Sequence, residues 1–303
     1  MGVEDIIKKH NYTKDISVFL EKTYPELVAN IGNEQLIYNA LMDCKIVLTD
    51  NLYTCLKGYG FLGNTKDEGL VSFETLKICS GVYHSEPEIK YEKGLNQYTL
   101  EGVNRIVAIN ASSLNLEIYK AALIHELGHL IKSYNNEWTI KGDTIIERSG
   151  LITRIYQLHE KNGVVTKSLW SETGVGLEEG FNAVLEDEVT SKVIGKPYFS
   201  NGYKALKEIA RLVINLVPGI HEVIKEAQIY HDNTRLDSKL GQTFYDLQEI
   251  TDTIYPMIVK MSDMNTPKYE RHKISENVIK ILNDRFKVII DELKSVGQSS
   301  IEY

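Results

Sequence analysis

Cysteine is scarce in this chain: three in 303 residues, at Cys44, Cys55 and Cys79. Their spacing matches no thiolate metal site, and a small odd number suits a reduced compartment. Cys79 is therefore expected to be a buried structural thiol, and the location to be cytoplasmic. Positive charge is also in deficit, with 34 Lys and Arg against 42 Asp and Glu, a net charge of −8. That balance argues against nucleic acid and anionic membrane surfaces as partners. Long apolar runs are missing. The most apolar late stretch, residues 210–220, is broken by Arg211, Asn215 and Pro218, so no membrane span is expected. Residues 1–20 contain no apolar core of a signal peptide. Repeats and low-complexity tracts are missing too. What remains is a globular chain with ample residues for a core, long enough for one large or two to three small domains.

One motif-like stretch leads nowhere. Gly58-Tyr-Gly-Phe-Leu-Gly63 matches G-x-G-x-x-G, but Asn64-Thr-Lys-Asp-Glu-Gly69, which is turn material, follows it. A dinucleotide site needs a strand before those glycines and a helix after them. The stretch is read as a glycine-rich loop.

The informative motif is His125-Glu126-Leu127-Gly128-His129. Ile118, Ala121, Ala122, Leu127 and Ile131 form an apolar stripe around it, which predicts a helix. On a helix, residues four apart share a face, so the two imidazoles can converge on one zinc ion. Glu126 can then reach a water at the same metal. Gly128 costs a helix about 1 kcal/mol relative to Ala and suits close backbone packing.

A catalytic zinc needs a third protein ligand and one open position. The metzincin pattern would require Gly at 132 and His at 135, where this chain has Lys132 and Asn135. The nearest downstream histidine, His159, lies in a stretch that reads as strand or turn. A second predicted helix offers carboxylates instead. Residues 176–193 carry Leu177, Phe181, Val184, Leu185 and Val189 on an apolar side, with Glu179, Asn182 and Glu186 along one polar edge. Glu178 and Glu186 stay open as alternative ligands, and Glu186 has a further reading within a solvated Glu186-Asp187-Glu188 face. Asn182 is placed to orient a histidine.

With those residues in hand, the chain resembles the gluzincin clan of zinc metallopeptidases. The motif at 125–129 carries the resemblance, together with Leu177-Glu-Glu-Gly-Phe-Asn182, which is similar to the Leu-Asn-Glu-Gly-Phe-Ala type of segment in gluzincin aminopeptidases. It covers roughly residues 100 to 195. Residue by residue it implies His125, His129 and Glu179 as ligands of one zinc and Glu126 as general base. The chain departs from the pattern in having Glu at 178 and a longer spacer before Glu179. Residues 150–159 alternate like a strand, Lys161-Asn162-Gly163 signals a turn, and residues 164–170 read as the returning strand. An inserted β-hairpin accounts for the added length.

The resemblance also implies that the predicted strand at 104–112 is an edge strand pairing with an extended peptide, the β-augmentation mode. Oxyanion stabilisation needs a donor besides the metal. The candidates are Tyr198, Tyr203, His221 and His231, with Tyr203 preferred. The expected fold is α+β: a zincin-like metallopeptidase core of a small sheet and a zinc-binding helix, with helical lobes at both ends. The expected division is residues 1–60, 61–195 and 196–303. The expected function is a zinc-dependent metallopeptidase acting on a peptide or protein substrate. The alternatives are a non-catalytic zincin-like binding or regulatory module, and a zinc hydrolase of a non-peptide amide.

Overall fold

The computed structural model describes residues 2–59, 76, 79–111, 116–135, 137–195, 203–263 and 265–299. They form a mixed α+β fold with two small sheets. By its contacts the chain separates into two compact units. The first comprises Met1–Glu147, Arg154–Ser171 and Leu185–Tyr198; the second comprises Arg148–Thr153, Glu172–Val184 and Phe199–Tyr303.

The first unit opens with helices α1 (Val3–His10), α2 (Lys14–Ile31) and α3 (Glu34–Asp43). Asn33 starts α3 by accepting a hydrogen bond from the Leu36 amide, and Asn51 starts α4 (Leu52–Gly58) through the Thr54 amide. Between them lies a strand, β1 (Cys44–Thr49), in a region expected to be a helical lobe. The run is short but rich in β-branched residues, and its burial of Cys44 and Ile46 follows the strand period.

β2 (Gly81–Glu92) and β3 (Gln97–Asn110) pair antiparallel, and β1 pairs parallel with β3 from Cys44↔Arg105 to Thr49↔Asn110. The strand order is β1-β3-β2. This corrects the expected edge strand: β3 lies inside the sheet, flanked on both sides over residues 105–109. Ile106, Val107, Ala108 and Ile109 are buried in succession rather than alternately, the pattern of a strand covered on both faces. The glycine-rich loop expected over 60–69, the end of the expected strand at Ser112 and the candidate Tyr198 fall outside the described residues.

The segment beyond β3 forms α5 (Leu116–Ser133), which carries the motif. Its burial is wider than the one stripe expected: Leu123, Ile124, Leu127, Leu130 and Ile131 are all inaccessible. An α-helix apolar around most of its circumference is an interior helix.

A four-stranded sheet follows, ordered β4 (Trp138–Lys141), β5 (Thr144–Ser149), β6 (Ile152–Lys161), β7 (Val164–Thr173). β6 and β7 form the hairpin expected from the spacer. Its turn residues Asn162 and Gly163 have φ of 56° and 83°, the left-handed values a two-residue hairpin turn needs.

β7 leads into α6 (Val175–Ile194), whose first half belongs to the second unit and whose second half belongs to the first. The rest of the second unit is helical: α7 (Lys204–Leu216), α8 (Ile220–Tyr230), α9 (Thr234–Leu240), α10 (Gln242–Ser262), α11 (Lys268–Ile281) and α12 (Lys287–Ser299), the last two joined by a π-helical turn at Leu282–Phe286. Leu177, Phe181 and Val184 of α6 share one core with Ile209, Leu247 and Leu293. No helix among the described residues is long and apolar enough to cross a membrane.

Candidate metal centre

α5 supplies two imidazoles one turn apart, as the i, i+4 spacing requires. His125 and His129 are each 7% exposed, and their Nε2 atoms face each other at 3.2 Å. Ligand atoms of His125, His129 and buried Glu179 all lie within 4.8 Å of one another. Two nitrogens each bound at 2.0–2.1 Å to one tetrahedral zinc would lie about 3.3 Å apart, so the imidazole pair fits a shared ion. Two imidazoles and a carboxylate are also a donor set suited to zinc and other first-row divalent ions. Among the described residues this buried group is the one that could hold a metal ion.

The other face of His125 is also engaged. Its Nδ1 lies 3.0 Å from Glu186 Oε2, both groups buried within the first unit. An acidic acceptor there keeps the imidazole proton on Nδ1 and turns the Nε2 lone pair toward His129. Glu186 therefore holds the imidazole from behind. The solvated face considered for Glu186-Asp187-Glu188 is corrected, since Glu186 and Asp187 are 4% and 5% exposed. Asn182 is fully buried on the same helix.

Glu178, the neighbour of Glu179, is committed elsewhere. Its Oε2 accepts hydrogen bonds from the Leu151 amide at 2.8 Å and from Gln228 Nε2 at 2.7 Å. It clamps the chain at Gly150–Leu151, so its role within the second unit is structural.

Two glycines let α6 sit where it does. A Cβ on Gly176 would lie 2.2 Å from the backbone oxygen of Thr251 in α10, and one on Gly180 would lie 2.6 Å from that of Leu206 in α7. Backbone atoms cannot yield as side-chain tips can, so both positions demand glycine. Asp252 of α10 then caps the start of α6, its carboxylate accepting from the amides of Gly174 at 2.6 Å and Gly176 at 2.9 Å. Burial pushes the Asp252 carboxyl upward, against the lowering effect of those amides.

Glu126 faces β2. Its Oε2 accepts a hydrogen bond from the Tyr83 amide at 2.6 Å, and Gly81 leaves room for its Cγ, which would be 3.0 Å from a Cβ there. In the same unit, the Tyr83 hydroxyl donates to Glu137 Oε1 at 2.8 Å and Arg105 Nε donates to Glu137 Oε2 at 3.1 Å. Burial pushes the Glu137 carboxyl up to about 7; Arg105 opposes the shift and the nearby Glu147 adds to it. Glu147 is itself held by Arg154 at 3.0 Å and by the Tyr156 hydroxyl at 2.8 Å.

Of the oxyanion candidates, Tyr203 precedes α7 with its ring stacked on Tyr255, centroids 6.3 Å apart, against the helical core of the second unit. His221 lies in α8, and His231 ends it, with Nδ1 3.3 Å from the Gly150 oxygen. None of the three cysteines is in a disulfide; Cys79 and Cys55 are partly buried and pack against Leu52, Leu56 and Ile106. The sequence reading missed Tyr83, Glu137, Gln228 and Asp252. Each acts over a long sequence separation and belongs to no local motif.

Comparison with protein-family models, curated proteins and solved structures finds no match to this chain.

Proposed function

We propose that the protein is a zinc-dependent metallopeptidase of the gluzincin type, with Glu126 as its general base. The observation that carries this reading is the buried convergence of His125, His129 and Glu179, on a helix where Glu126 directly follows the first histidine. Three protein ligands is the count of catalytic zinc sites; structural sites are closed by four.

His125, His129 and Glu179 would hold the ion, and Glu186 would fix the His125 ring. When bound, zinc polarises a carbonyl oxygen and acidifies water to near neutrality. Glu126 is the chain's proton carrier in this scheme: its carboxylate accepts the proton of the attacking water and returns it to the leaving amine. The Tyr83 amide, bonded to Oε2, orients that carboxylate. Tyr203 is carried as the proposed oxyanion donor, tested by Tyr203→Phe, which should lower kcat while leaving zinc content unchanged.

The substrate strand is proposed to be β2 rather than β3. The Asn110 amide bonds to the Ser80 oxygen, and the register pairs Gly81 with Ile109 and Tyr83 with Val107. Antiparallel pairs alternate between bonded and non-bonded, so the main-chain groups of Gly81 and Tyr83 point away from β3. The Tyr83 amide already meets Glu126 there, which puts this strand edge beside the proposed base.

Zinc per chain, measured by elemental mass spectrometry on purified protein, is the first test. Close to one zinc, with peptide-library cleavage lost by orders of magnitude in Glu126→Gln, supports the reading. No zinc after reconstitution overturns it. Zinc retained without hydrolysis of any peptide would favour a binding module or a hydrolase of a non-peptide amide instead.

A further inference from the structure

We propose that the outer edge of β7 is a dimer interface, on which a second copy of this chain pairs antiparallel about a two-fold axis at Ser168. The surface, residues 164–171, lies wholly within the first unit and is independent of the reading of the metal centre.

β7 is the last strand of its sheet, in the order β4-β5-β6-β7, so among the described residues no strand lies on its outer side. An open edge offers main-chain groups to any other chain, and natural sheets protect such edges with short strands, proline, lysine or bulges. The other three edges carry those devices. β1 is six residues long. β2 has Pro87 among the residues whose main chain turns outward, and a register shift at Glu88/Ile89. β4 has four residues and ends in Lys141. β7 has ten residues and no proline. Its one charged residue between 164 and 171, Lys167, is engaged within its own chain: Nζ lies 2.6 Å from Glu86 Oε1 and 5.0 Å from the centroid of the Trp138 ring. Trp170, 74% exposed, is the most exposed large apolar side chain of the described strands, and Val164 follows at 62%.

The hairpin turn fixes which groups are open. A two-residue turn at Asn162-Gly163 makes Lys161 and Val164 a hydrogen-bonded pair. The even-numbered residues of β7 then bond to β6, and Val165, Lys167, Leu169 and Ser171 turn their main-chain groups outward. Directly opposed residues share a face, so the two-fold axis passes through a residue. Centred on Lys167, it would set two ammonium groups against each other. Centred on Leu169, it leaves Val164 uncovered. Centred on Ser168, it bonds Lys167 to Leu169 and Val165 to Ser171 with no like charges opposed. Trp170 of each copy then lies against Thr166 and beside Val164 of the other, an aromatic on β-branched neighbours. A second copy thus covers the exposed apolar residues and uses the open main-chain groups together, and the isologous pairing closes both edges. A strand of this length makes less than a permanent interface, so the dimer exchanges with monomer.

Sedimentation velocity of the full chain is the test. Wild type should be a dimer that dissociates on dilution across the micromolar range. Ser168→Lys places two ammonium groups on the axis and should weaken the dimer by roughly tenfold at low salt, with circular dichroism unchanged. Ser168→Cys should form an interchain disulfide on mild oxidation, since the Cα atoms of a non-bonded antiparallel pair stand about 4.5 Å apart. Thr166→Cys, which faces Trp170, should not. Should Ser168→Lys lose its fold, the two cysteine variants decide alone. A wild-type monomer at every concentration overturns the proposal. Slow deuterium exchange of the Val165, Lys167 and Leu169 amides in that monomer would give the edge to another segment of this chain, and fast exchange to a different partner. A dimer indifferent to Ser168→Lys, or one that crosslinks through Ser168→Cys no better than through Thr166→Cys, uses another surface or register and overturns the proposal as well.

Discussion

Glu186→Ala is the sharpest probe of the candidate centre, because the residue touches a proposed ligand from the side away from the proposed ion. Its carboxylate accepts from His125 Nδ1 at 3.0 Å, in surroundings where His125 is 7% and Glu186 4% exposed. Removing it leaves a buried N–H without its acidic acceptor and frees the ring to rotate or change tautomer. Loss of such a supporting carboxylate typically lowers metal affinity by roughly 10–100-fold, or about 1.4–2.7 kcal/mol. Glu186→Gln keeps an acceptor oxygen and loses only the charge, so its effect should fall at or below the lower end. Zinc titration in competition with a chromophoric chelator reads the range directly. Unchanged affinity in Glu186→Ala would refute the assignment. So would complete loss of binding in that variant alongside wild-type affinity in Glu179→Ala, since Glu186 would then be the ligand.

Two further outcomes follow from the geometry. Gly176→Ala places a methyl 2.2 Å from the Thr251 oxygen; overpacking should cost roughly 1–3 kcal/mol, outweighing a helix-propensity gain of about 1 kcal/mol. Chemical denaturation checks this, and a variant as stable as wild type would show that α6 is not held so tightly. Glu137 has a folded pKa of about 7 against an ordinary 4.5, so the native state holds its proton more tightly than the unfolded chain does. Its contribution to stability is whole below about pH 4.5 and is lost as pH rises through 7, an effect of about 3 kcal/mol. The stability of wild type relative to Glu137→Gln should therefore decline across that window and level off above it. A difference that stays flat with pH would refute the shift.

Much of the architecture is legible in the residues themselves. The helix at 116–133 follows from local periodicity, and adjacency of His125 and His129 follows from four-residue spacing alone. Asn162-Gly163 specifies its hairpin because few other residues adopt those φ values without strain. The helices of the last hundred residues are likewise visible, in apolar spacing bounded by Gly and Pro. These are all short-range signals, carried by backbone preference and by side chains within one or two turns.

Other features depended on where distant segments come together. β1 was missed because a six-residue strand among helices becomes evident only through its parallel partner, β3. The internal place of β3 could not be read from its own residues either, since an apolar run suits an internal strand and an edge strand alike. Glu178, Glu179 and Glu186 are all candidate ligands in sequence, with Glu179 preferred only through the resemblance, yet they differ in their contacts. Packing sends Glu178 to Leu151 and Gln228, groups Glu179 with the imidazoles, and sets Glu186 behind His125. The sequence alone determined which groups can bind a metal. Which carboxylate meets the imidazoles, and which backbone amide meets Glu126, was decided by the tertiary structure, because hydrogen bonds and metal ligation act over a few ångströms while these residues lie some 40 to 60 positions apart in the chain.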